Sequence, residues 1–259
     1  MSDQFQVLKI YTMLSKSTVK YIQSLTHKKF RDEYGVFIAE GPKVVEELLT
    51  EGKLGCKTVC GLPKWLEENK KVLHTNAAEE FIEINEIELE KISQLSTPNK
   101  VLGVFYKKVE EKVLEVENRI TLVLDDIHDP GNMGTIIRIA DWFGIENIVC
   151  SGNCVDHYNS KVVQGTMGSI GRVNIVYKEL VAFLESNRKI RRLVTALEGK
   201  DVKTMGNIKE GFIIIGSESK GISREIMELE NEQITIHRYG KAESLNAAVA
   251  TGIILSHII

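Results

Sequence analysis

Short apolar runs alternate with amphipathic stretches along the first 106 residues of this 259-residue chain. The apolar runs have the length of short strands, and the amphipathic stretches carry apolar residues at helical spacing. Pro42 suits the first turn of a helix, and Gly52 marks the end of the same helix. The pattern therefore predicts a small α/β unit. Its strands are expected at residues 36–39, 58–60, 72–73 and 101–105, and two of its helices at residues 42–50 and 86–93.

A charged segment, residues 107–118, interrupts this pattern and indicates a linker. Strands and helices then alternate again over residues 119–259, which predicts a mostly parallel sheet with helices on both faces. The strands are expected at residues 120–126, 146–150, 172–177, 192–196, 211–216 and 233–237, and the helices at 132–143, 161–165, 179–187 and from Ser244 onward. Ligands of such sheets bind beyond the carboxyl ends of the strands, so the loops there are the candidate sites.

Composition adds limits to this picture. The chain is 43% hydrophobic and 27% charged, as soluble globular proteins are. Its formal net charge of -3 excludes a broad positive coat, so nucleic-acid binding requires a local basic patch. Residues 15–31 hold no acidic residue and are one candidate, although a solvated helix face is an equally good explanation. The basic residues of this stretch are Lys16, Lys20, Lys28, Lys29 and Arg31.

Neither targeting nor metal binding is predicted. The first 14 residues lack the charged and apolar regions of a secretory signal, and no apolar stretch has the length of a membrane span, so we expect a cytoplasmic protein. The four cysteines form two Cys-x3-Cys pairs, Cys56/Cys60 and Cys150/Cys154. This spacing departs from the Cys-x2-Cys of zinc knuckles, so we expect buried free thiols and no metal.

The loop after the first strand of the second unit has the sequence "DDIHDPGNMG", residues 125–134. It leads into a helix whose first backbone N–H groups suit an anionic or polar ligand. The loop has Gly131 and Gly134 only, so the G-x-G-x-x-G of a dinucleotide fold is absent. The GXXG loop of a KH domain belongs to a smaller βα unit. Arg138 follows in the same helix, either in an ordinary surface pairing or as part of a site.

Two further loops complete the candidate set. In "GSESKGIS", residues 216–223, Lys220 precedes Gly221, whereas a P-loop places lysine after the second glycine, so ATP or GTP hydrolysis is not indicated. In "GKAESLN", residues 240–246, Ser244 or Glu243 suits a helix N-cap and Asn246 its first turn. The small residues of the following helix allow close packing, for example between subunits.

Taken in this order, the three loops closely resemble the motifs of the SpoU (TrmH-type) branch of the SPOUT RNA methyltransferases. The resemblance covers residues 120–259 without a gap, through "DPGNMGTIIRIADWFG", "IIIGSESKGIS" and "GKAESLNAAVATGIIL". The stretch "KYIQSLTHKKFRDEYGVFIAEGPKVVEELL" resembles the L30e-like substrate-binding domain of several family members, over residues 15–106. We therefore expect an L30e-like α/β domain at 1–106, a linker at 107–118 and a SPOUT methyltransferase domain at 119–259.

The resemblance implies a C-terminal trefoil knot, which periodicity would not indicate because chains almost always avoid knots. It also implies a pocket for S-adenosylmethionine and a homodimer formed through the C-terminal helix. By resemblance, the pocket is lined by Gly216, Glu218, Gly221, Ile236, Ser244 and Leu245.

The implied reaction is methyl transfer to a ribose 2'-hydroxyl of RNA, with catalytic positions at Asn132, Arg138, Glu218, Ser244 and Asn246. Arginine is a poor base, so we expect Arg138 to hold the target phosphate and stabilise the forming alkoxide, with Glu218 or a phosphate oxygen accepting the proton. On an L30e-like domain, Lys16, Lys28, Lys29 and Arg31 are expected to contact RNA phosphates.

Ribosomal RNA is the expected substrate, because members that act on the tRNA D-loop tend to extend beyond the third-motif helix and lack the L30e-like domain. Gln164 stands where many members carry a basic residue, which leaves the target nucleotide open. The alternatives are a tRNA 2'-O-methyltransferase and a non-catalytic RNA-binding protein of the same fold.

Overall fold

The computed structural model of the protein describes residues 14–75, 78–109 and 114–259. The start of the chain, on which the absence of a secretory signal was predicted, and residues 110–113 of the predicted linker lie outside these ranges. The described residues form two compact units. One comprises those of Met1–Val109 together with Tyr158–Gly171, and the other those of Glu110–His157 together with Arg172–Ile259.

The elements follow the predicted alternation closely. The strands are β1 (Val36–Glu40), β2 (Cys56–Gly61), β3 (Glu80–Glu83), β4 (Val101–Tyr106), β5 (Ile120–Asp125), β6 (Asn147–Cys150), β7 (Asn174–Tyr177), β8 (Arg192–Asp201), β9 (Gly211–Gly216) and β10 (Glu232–Thr235). The helices are α1 (Lys16–Ser24), α2 (Lys28–Tyr34), α3 (Pro42–Glu51), α4 (Pro63–Glu68), α5 (Lys70–Thr75), α6 (Glu86–Ile92), α7 (Pro130–Trp142), α8 (Ser160–Thr166), α9 (Leu180–Ser186), α10 (Arg224–Met227) and α11 (Ala247–Ile258), with short 3-10 turns at Ser169–Gly171 and Val202–Thr204.

The first unit is built on a four-stranded sheet in the order β1-β4-β2-β3. Strand β4 runs antiparallel to β1 and β2, and β3 runs parallel to β2. Both faces of this sheet are buried. Successive side chains of a strand point to opposite faces, so Phe37 and Val59 lie in one apolar cluster and Ile38 and Cys60 lie in the other. Tyr158, Val163 and Ile170 complete the first cluster, although they lie far along the chain.

One predicted strand of the first unit is wrong. Residues 72–73 belong to helix α5, and the strand lies instead at Glu80–Glu83. Two apolar residues in a row fit a buried helix face as well as a strand, and here Leu73 is buried as part of a helix. In β3, Phe81 and Ile82 are buried between two exposed glutamates.

The second unit is a six-stranded sheet in the order β10-β8-β9-β5-β6-β7, with every neighbouring pair parallel. This confirms the predicted mostly parallel α/β sheet. Asp125, the last residue of β5, is in register with Gly216, the last residue of β9, so the loops that follow these two strands leave the sheet side by side. The trefoil knot stays a prediction.

Within the described ranges, no helix is both long and apolar enough to cross a membrane. All four cysteines are buried as free thiols, as predicted.

Candidate active site

Helix α7 begins directly behind the carboxyl end of β5. Asp129 is its N-cap, and the Asp129 carboxylate accepts a hydrogen bond from the backbone N–H of Asn132 at 2.7 Å. Pro130 occupies the first turn, where a missing N–H costs nothing. These local interactions hold Asn132 at the start of the helix, on the edge of the sheet where β9 also ends.

Asn132, Glu218 and Asn246 form a hydrogen-bonded triad that joins the three predicted loops. The Asn246 amide Nδ2 donates to Asn132 Oδ1 at 2.7 Å and to Glu218 Oε1 at 2.7 Å. Asn132 Nδ2 donates to the same Glu218 Oε1 at 3.1 Å, and the backbone N–H of Ala247 donates to it at 3.0 Å. Among the described residues, Glu218 Oε2 has no hydrogen-bond partner, so it is available to a bound molecule.

Asn246 is also the N-cap of α11. Its Oδ1 accepts hydrogen bonds from the backbone N–H groups of Ala248 and Val249, at 3.1 and 3.2 Å. The helix therefore begins at Ala247 and not at Ser244, and the predictions of Ser244 or Glu243 as the cap and of Asn246 as a first-turn residue are wrong. The amide side chain accepts from the helix on Oδ1 and donates to the site from Nδ2, whereas a serine hydroxyl would have to do both from one oxygen and a glutamate carboxylate has no donor.

The loop after β9 is a tight turn closed by its own backbone. Ser217 and Gly221 exchange two hydrogen bonds, at 3.1 and 2.8 Å, and Gly221 has a φ of +70°. A Cβ atom placed on Gly216 would lie 2.3 Å from the backbone carbon of Gly221, so only glycine permits this approach. Because Gly216 and Gly221 have no side chains, the backbone on either side of Glu218 is left uncovered in this turn.

A second set of contacts fastens the same two loops together. Lys220 Nζ lies 3.3 Å from Asp126 Oδ2, and His128 Nε2 lies 2.8 Å from Asp126 Oδ1. The backbone N–H of Ser223 donates to Asp125 Oδ2 at 2.7 Å. Asp126 is held with a φ of +61°, a conformation that non-glycine residues rarely adopt. The contacts of Lys220 with Asp126 and of Ser223 with Asp125 could not be predicted from the sequence, because no spacing rule relates positions almost 100 residues apart.

The other predicted site residues lie outside the triad. Arg138 is exposed on α7, roughly 9 Å along the helix axis from Asn132. Neither it nor Ser244 makes a hydrogen bond or ion pair with any other residue that the structure describes. Leu245 is 45% exposed, and Ile236 is partly buried. The apolar side chains and the bare glycine turn fit the flat base and short chain of an S-adenosyl group, whereas none of the described residues forms a metal-binding cluster.

Cys150 and Cys154 lie beneath the loop that carries Asp126. The Cys154 thiol accepts a hydrogen bond from the backbone N–H of Ile127 at 3.3 Å. The pKa of Cys154 is lowered to about 7, chiefly by its hydrogen bond with Cys150 and also by those from Ser151 and Ile127, although burial opposes the shift. The same hydrogen bond with Cys154, and secondly burial, raise the pKa of Cys150 well above its ordinary value.

In the first unit, the predicted RNA-binding residues divide into two groups. Lys16, Lys28 and Lys29 are exposed, and Lys28 forms an ion pair with Asp32. Arg31 is only 4% exposed, and its Nη1 donates to the backbone carbonyls of Leu25 and Thr26 at 2.9 and 2.8 Å. The Arg31 guanidinium therefore links α1 to α2, in contrast to the phosphate contact predicted for it.

The chain matches two protein families. Residues 119–256 match the SpoU rRNA Methylase family, and residues 16–103 match the MRM3-like substrate binding domain. A similar relative is the 23S rRNA (guanosine(2553)-2'-O)-methyltransferase RlmP of Bacillus subtilis, with 27% identity over 93% of this chain and 95% of that protein.

Two solved structures are similar over almost their full length. A putative RNA methyltransferase of the TrmH family from Porphyromonas gingivalis has a TM-score of 0.82 and 32% identity, over 95% of this chain and 98% of that one. An AdoMet-bound rRNA methyltransferase from Sinorhizobium meliloti has a TM-score of 0.82 and 31% identity, over 96% of this chain and 97% of that one.

Proposed function

Because this chain belongs to the SpoU rRNA methylase family, we propose that it transfers the methyl group of S-adenosylmethionine to a ribose 2'-hydroxyl of ribosomal RNA. The observation that carries the proposal is the triad of Asn132, Glu218 and Asn246, which draws one polar residue from each of the three loops into direct hydrogen bonding. The similarity to RlmP of Bacillus subtilis, named as a 23S rRNA 2'-O-methyltransferase, supports this substrate class.

S-adenosylmethionine, when bound, supplies an electrophilic methyl group on a sulfonium centre. Gly216, Glu218, Gly221, Ile236, Ser244 and Leu245 are the residues that would hold it. The protein must align the ribose oxygen behind that methyl group and assist the loss of the hydroxyl proton. Glu218 has one carboxylate oxygen fixed by three donors and the other free, so Oε2 is our candidate to receive the hydroxyl hydrogen bond.

Arg138 is proposed to hold the target phosphate and to stabilise the alkoxide as it forms. A guanidinium stays charged at any pH at which the enzyme works, and it binds phosphate oxygens in a bidentate manner. Its exposure on α7, without a partner among the described residues, leaves those donors available to RNA. Arg138→Ala should then slow single-turnover methylation of bound RNA, whereas a loss of RNA affinity alone would contradict this role.

We further propose a homodimer formed by the catalytic unit. Trp142 of α7 is 84% exposed and Val249 of α11 is 51% exposed, on two helices that pack together where Ile139 approaches Gly252. Exposed apolar side chains on adjoining helices are typical of a subunit contact. Sedimentation of the wild-type protein and of Trp142→Ala tests this proposal. The dissociation constant of the dimer should be larger for the variant than for the wild type.

Each of the two predicted domains has a distinct role in the proposed reaction. Residues 1–106 are proposed to bind the rRNA substrate, with phosphate contacts from Lys16, Lys28 and Lys29, and residues 119–259 to form a knotted catalytic domain. The match of residues 16–103 to the MRM3-like substrate binding domain supports this division. We propose the cytoplasm as the place of action, because the three similar proteins described above come from bacteria, whose ribosomes lie in the cytoplasm.

The decisive experiment is methyl transfer in vitro. Purified protein is incubated with S-adenosylmethionine and protein-free rRNA or tRNA from cells that lack the gene, and methylated positions are mapped by their resistance to alkaline cleavage. We expect one 2'-O-methyl nucleotide in rRNA. Methylation of tRNA alone would support the tRNA alternative, and failure to bind S-adenosylmethionine in calorimetry would support a non-catalytic RNA-binding protein.

A further inference from the structure

An exposed tyrosine marks the loop that leads from β10 into α11. Tyr239 is 82% exposed, among the highest values of the large apolar side chains in the described ranges. The Lys203 Nζ lies 5.3 Å from the centroid of its ring, and the His237 ring meets it edge to face at 4.5 Å. The ring is thus held between polar neighbours and is not covered by an apolar surface.

The surroundings of Tyr239 are basic. Arg238 and Lys241 flank it in sequence, and Lys203 adjoins it from the 3-10 turn Val202–Thr204. Arg238 Nη1 donates to the backbone carbonyl of Ala242 at 3.3 Å, which closes the base of the loop and leaves Tyr239 near its tip. A local basic patch of this kind stands out on a chain with a formal net charge of -3.

Proteins bind unpaired nucleobases through exposed aromatic rings that have cationic side chains beside them. Bases stack on aromatic side chains in proteins that bind single strands, while lysine and arginine contact the neighbouring phosphates. A protein partner would instead favour an apolar surround at the centre of its contact. Here residues 237–246 are all exposed, and three cationic or imidazole side chains, those of His237, Arg238 and Lys241, outnumber the single carboxylate of Glu243. The charge and the ring together favour RNA.

The position of the ring fits a role next to the site. Tyr239 precedes Asn246 of the triad by seven residues, so even a fully extended chain separates them by no more than about 24 Å. A base stacked on Tyr239 therefore belongs to a nucleotide within a short stretch of the one that is methylated.

We propose that Tyr239 is a stacking platform for an unpaired base of the rRNA segment that flanks the target nucleotide, with Lys203, Arg238 and Lys241 contacting its phosphates. The inference rests on the proposed function and adds a subsite for the substrate. Because stacking tolerates every base, the platform positions the strand and contributes little sequence preference.

The test compares Tyr239→Ala and Tyr239→Phe with the wild type in methyl transfer to protein-free rRNA from cells that lack the gene. Tyr239→Ala should raise the KM for rRNA about 5- to 150-fold, whereas Tyr239→Phe, which keeps the ring, should stay within about twofold. The rate constant of methylation at saturating rRNA should be unchanged for both. Lys203→Met should lower the slope of log KM against log salt by about 1.

Leu197→Ala is the matched control, because Leu197 is 74% exposed and lies outside the loop; its KM should equal that of the wild type. A KM for Tyr239→Ala within twofold of the wild type would overturn the platform. A change in its sedimentation would do the same, since the ring would then contact a second protein chain. If the wild type itself methylates no rRNA, the proposed function fails, and that outcome is distinct from equal activity of wild type and variant.

Discussion

The side-chain amide of Asn246 donates a hydrogen bond of 2.7 Å to Glu218 Oε1, while the Oδ1 atom of the same side chain caps helix α11. The same side chain therefore sets the start of the last helix and the orientation of the carboxylate in the loop after β9. This double role couples the position of the C-terminal helix to the geometry of the site.

Substitution of Asn246 separates the two roles. Asn246→Ala removes the cap and the donor, so we expect a loss of about 1 kcal/mol in the free energy of unfolding and about 100-fold in the methylation rate. Asn246→Ser keeps a capping oxygen but is too short to reach Glu218. We expect serine to retain the stability and lose the activity, measured by chemical denaturation and by single-turnover methylation. A serine variant with full activity would show that the contact with Glu218 is dispensable.

Gly216→Ala tests the glycine turn. The new methyl group would meet the backbone of Gly221 at 2.3 Å, and backbone atoms cannot move aside as a flexible side chain can. The loop must shift, so we expect calorimetry to show S-adenosylmethionine affinity reduced more than tenfold, on the basis that an angstrom-scale displacement costs about that much or more. Gly152→Ala is the control, since a Cβ there meets nothing within 4 Å. Equal affinity of the two variants would exclude the turn from the cofactor site.

Substitution of Arg31 should lower the stability of the protein, whereas substitution of the neighbouring lysines should not. Arg31→Ala leaves the buried carbonyl of Leu25 without its donor, so thermal or chemical denaturation should show a loss of about 2–3 kcal/mol. The double variant Lys28→Ala, Lys29→Ala should leave stability within about 0.5 kcal/mol, because both side chains are exposed.

The same double variant should flatten the slope of log affinity for rRNA against log salt by about 1 to 2, since each phosphate contact releases counterions. An unchanged slope would return these lysines to an ordinary solvated helix face.

Cys154 should be the most reactive of the four thiols. Its pKa of about 7 places the thiolate, the nucleophilic form, within the neutral range, whereas burial raises the pKa of Cys56 and Cys60 to about 12. Burial slows the reaction of all four thiols, but Cys154 is the least buried of them, at 7% exposed. Brief alkylation with iodoacetamide should therefore label Cys154 first, at a rate that rises with pH through about 7 and then levels off. Peptide mass mapping gives the site, and Cys154→Ser should remove the fast phase. A midpoint near 9 would contradict the hydrogen bonding that lowers this pKa.

Most of the fold was predictable because its signals are local. Continuous apolar runs such as Ile120–Asp125 and Gly211–Gly216 are typical of buried parallel strands, and they lie where predicted. The short run at residues 72–73 was not predictable, since two apolar residues carry no period. The start of α11 was missed by three residues, because Ser244 and Asn246 are both good caps and only the contact with Glu218 selects one of them.

The sequence by itself determined which residue types stand at the ends of the strands, and through them the family and the parallel sheet, and it supplied the candidate residues of the site. It did so because capping, turn formation and strand burial depend on neighbours within a few positions. Only the tertiary structure decided that Asn132 and Asn246, 114 positions apart, share a hydrogen bond, and that Arg31 is buried within its unit while Lys28 is exposed. Such contacts depend on strand order and packing, which no local pattern encodes.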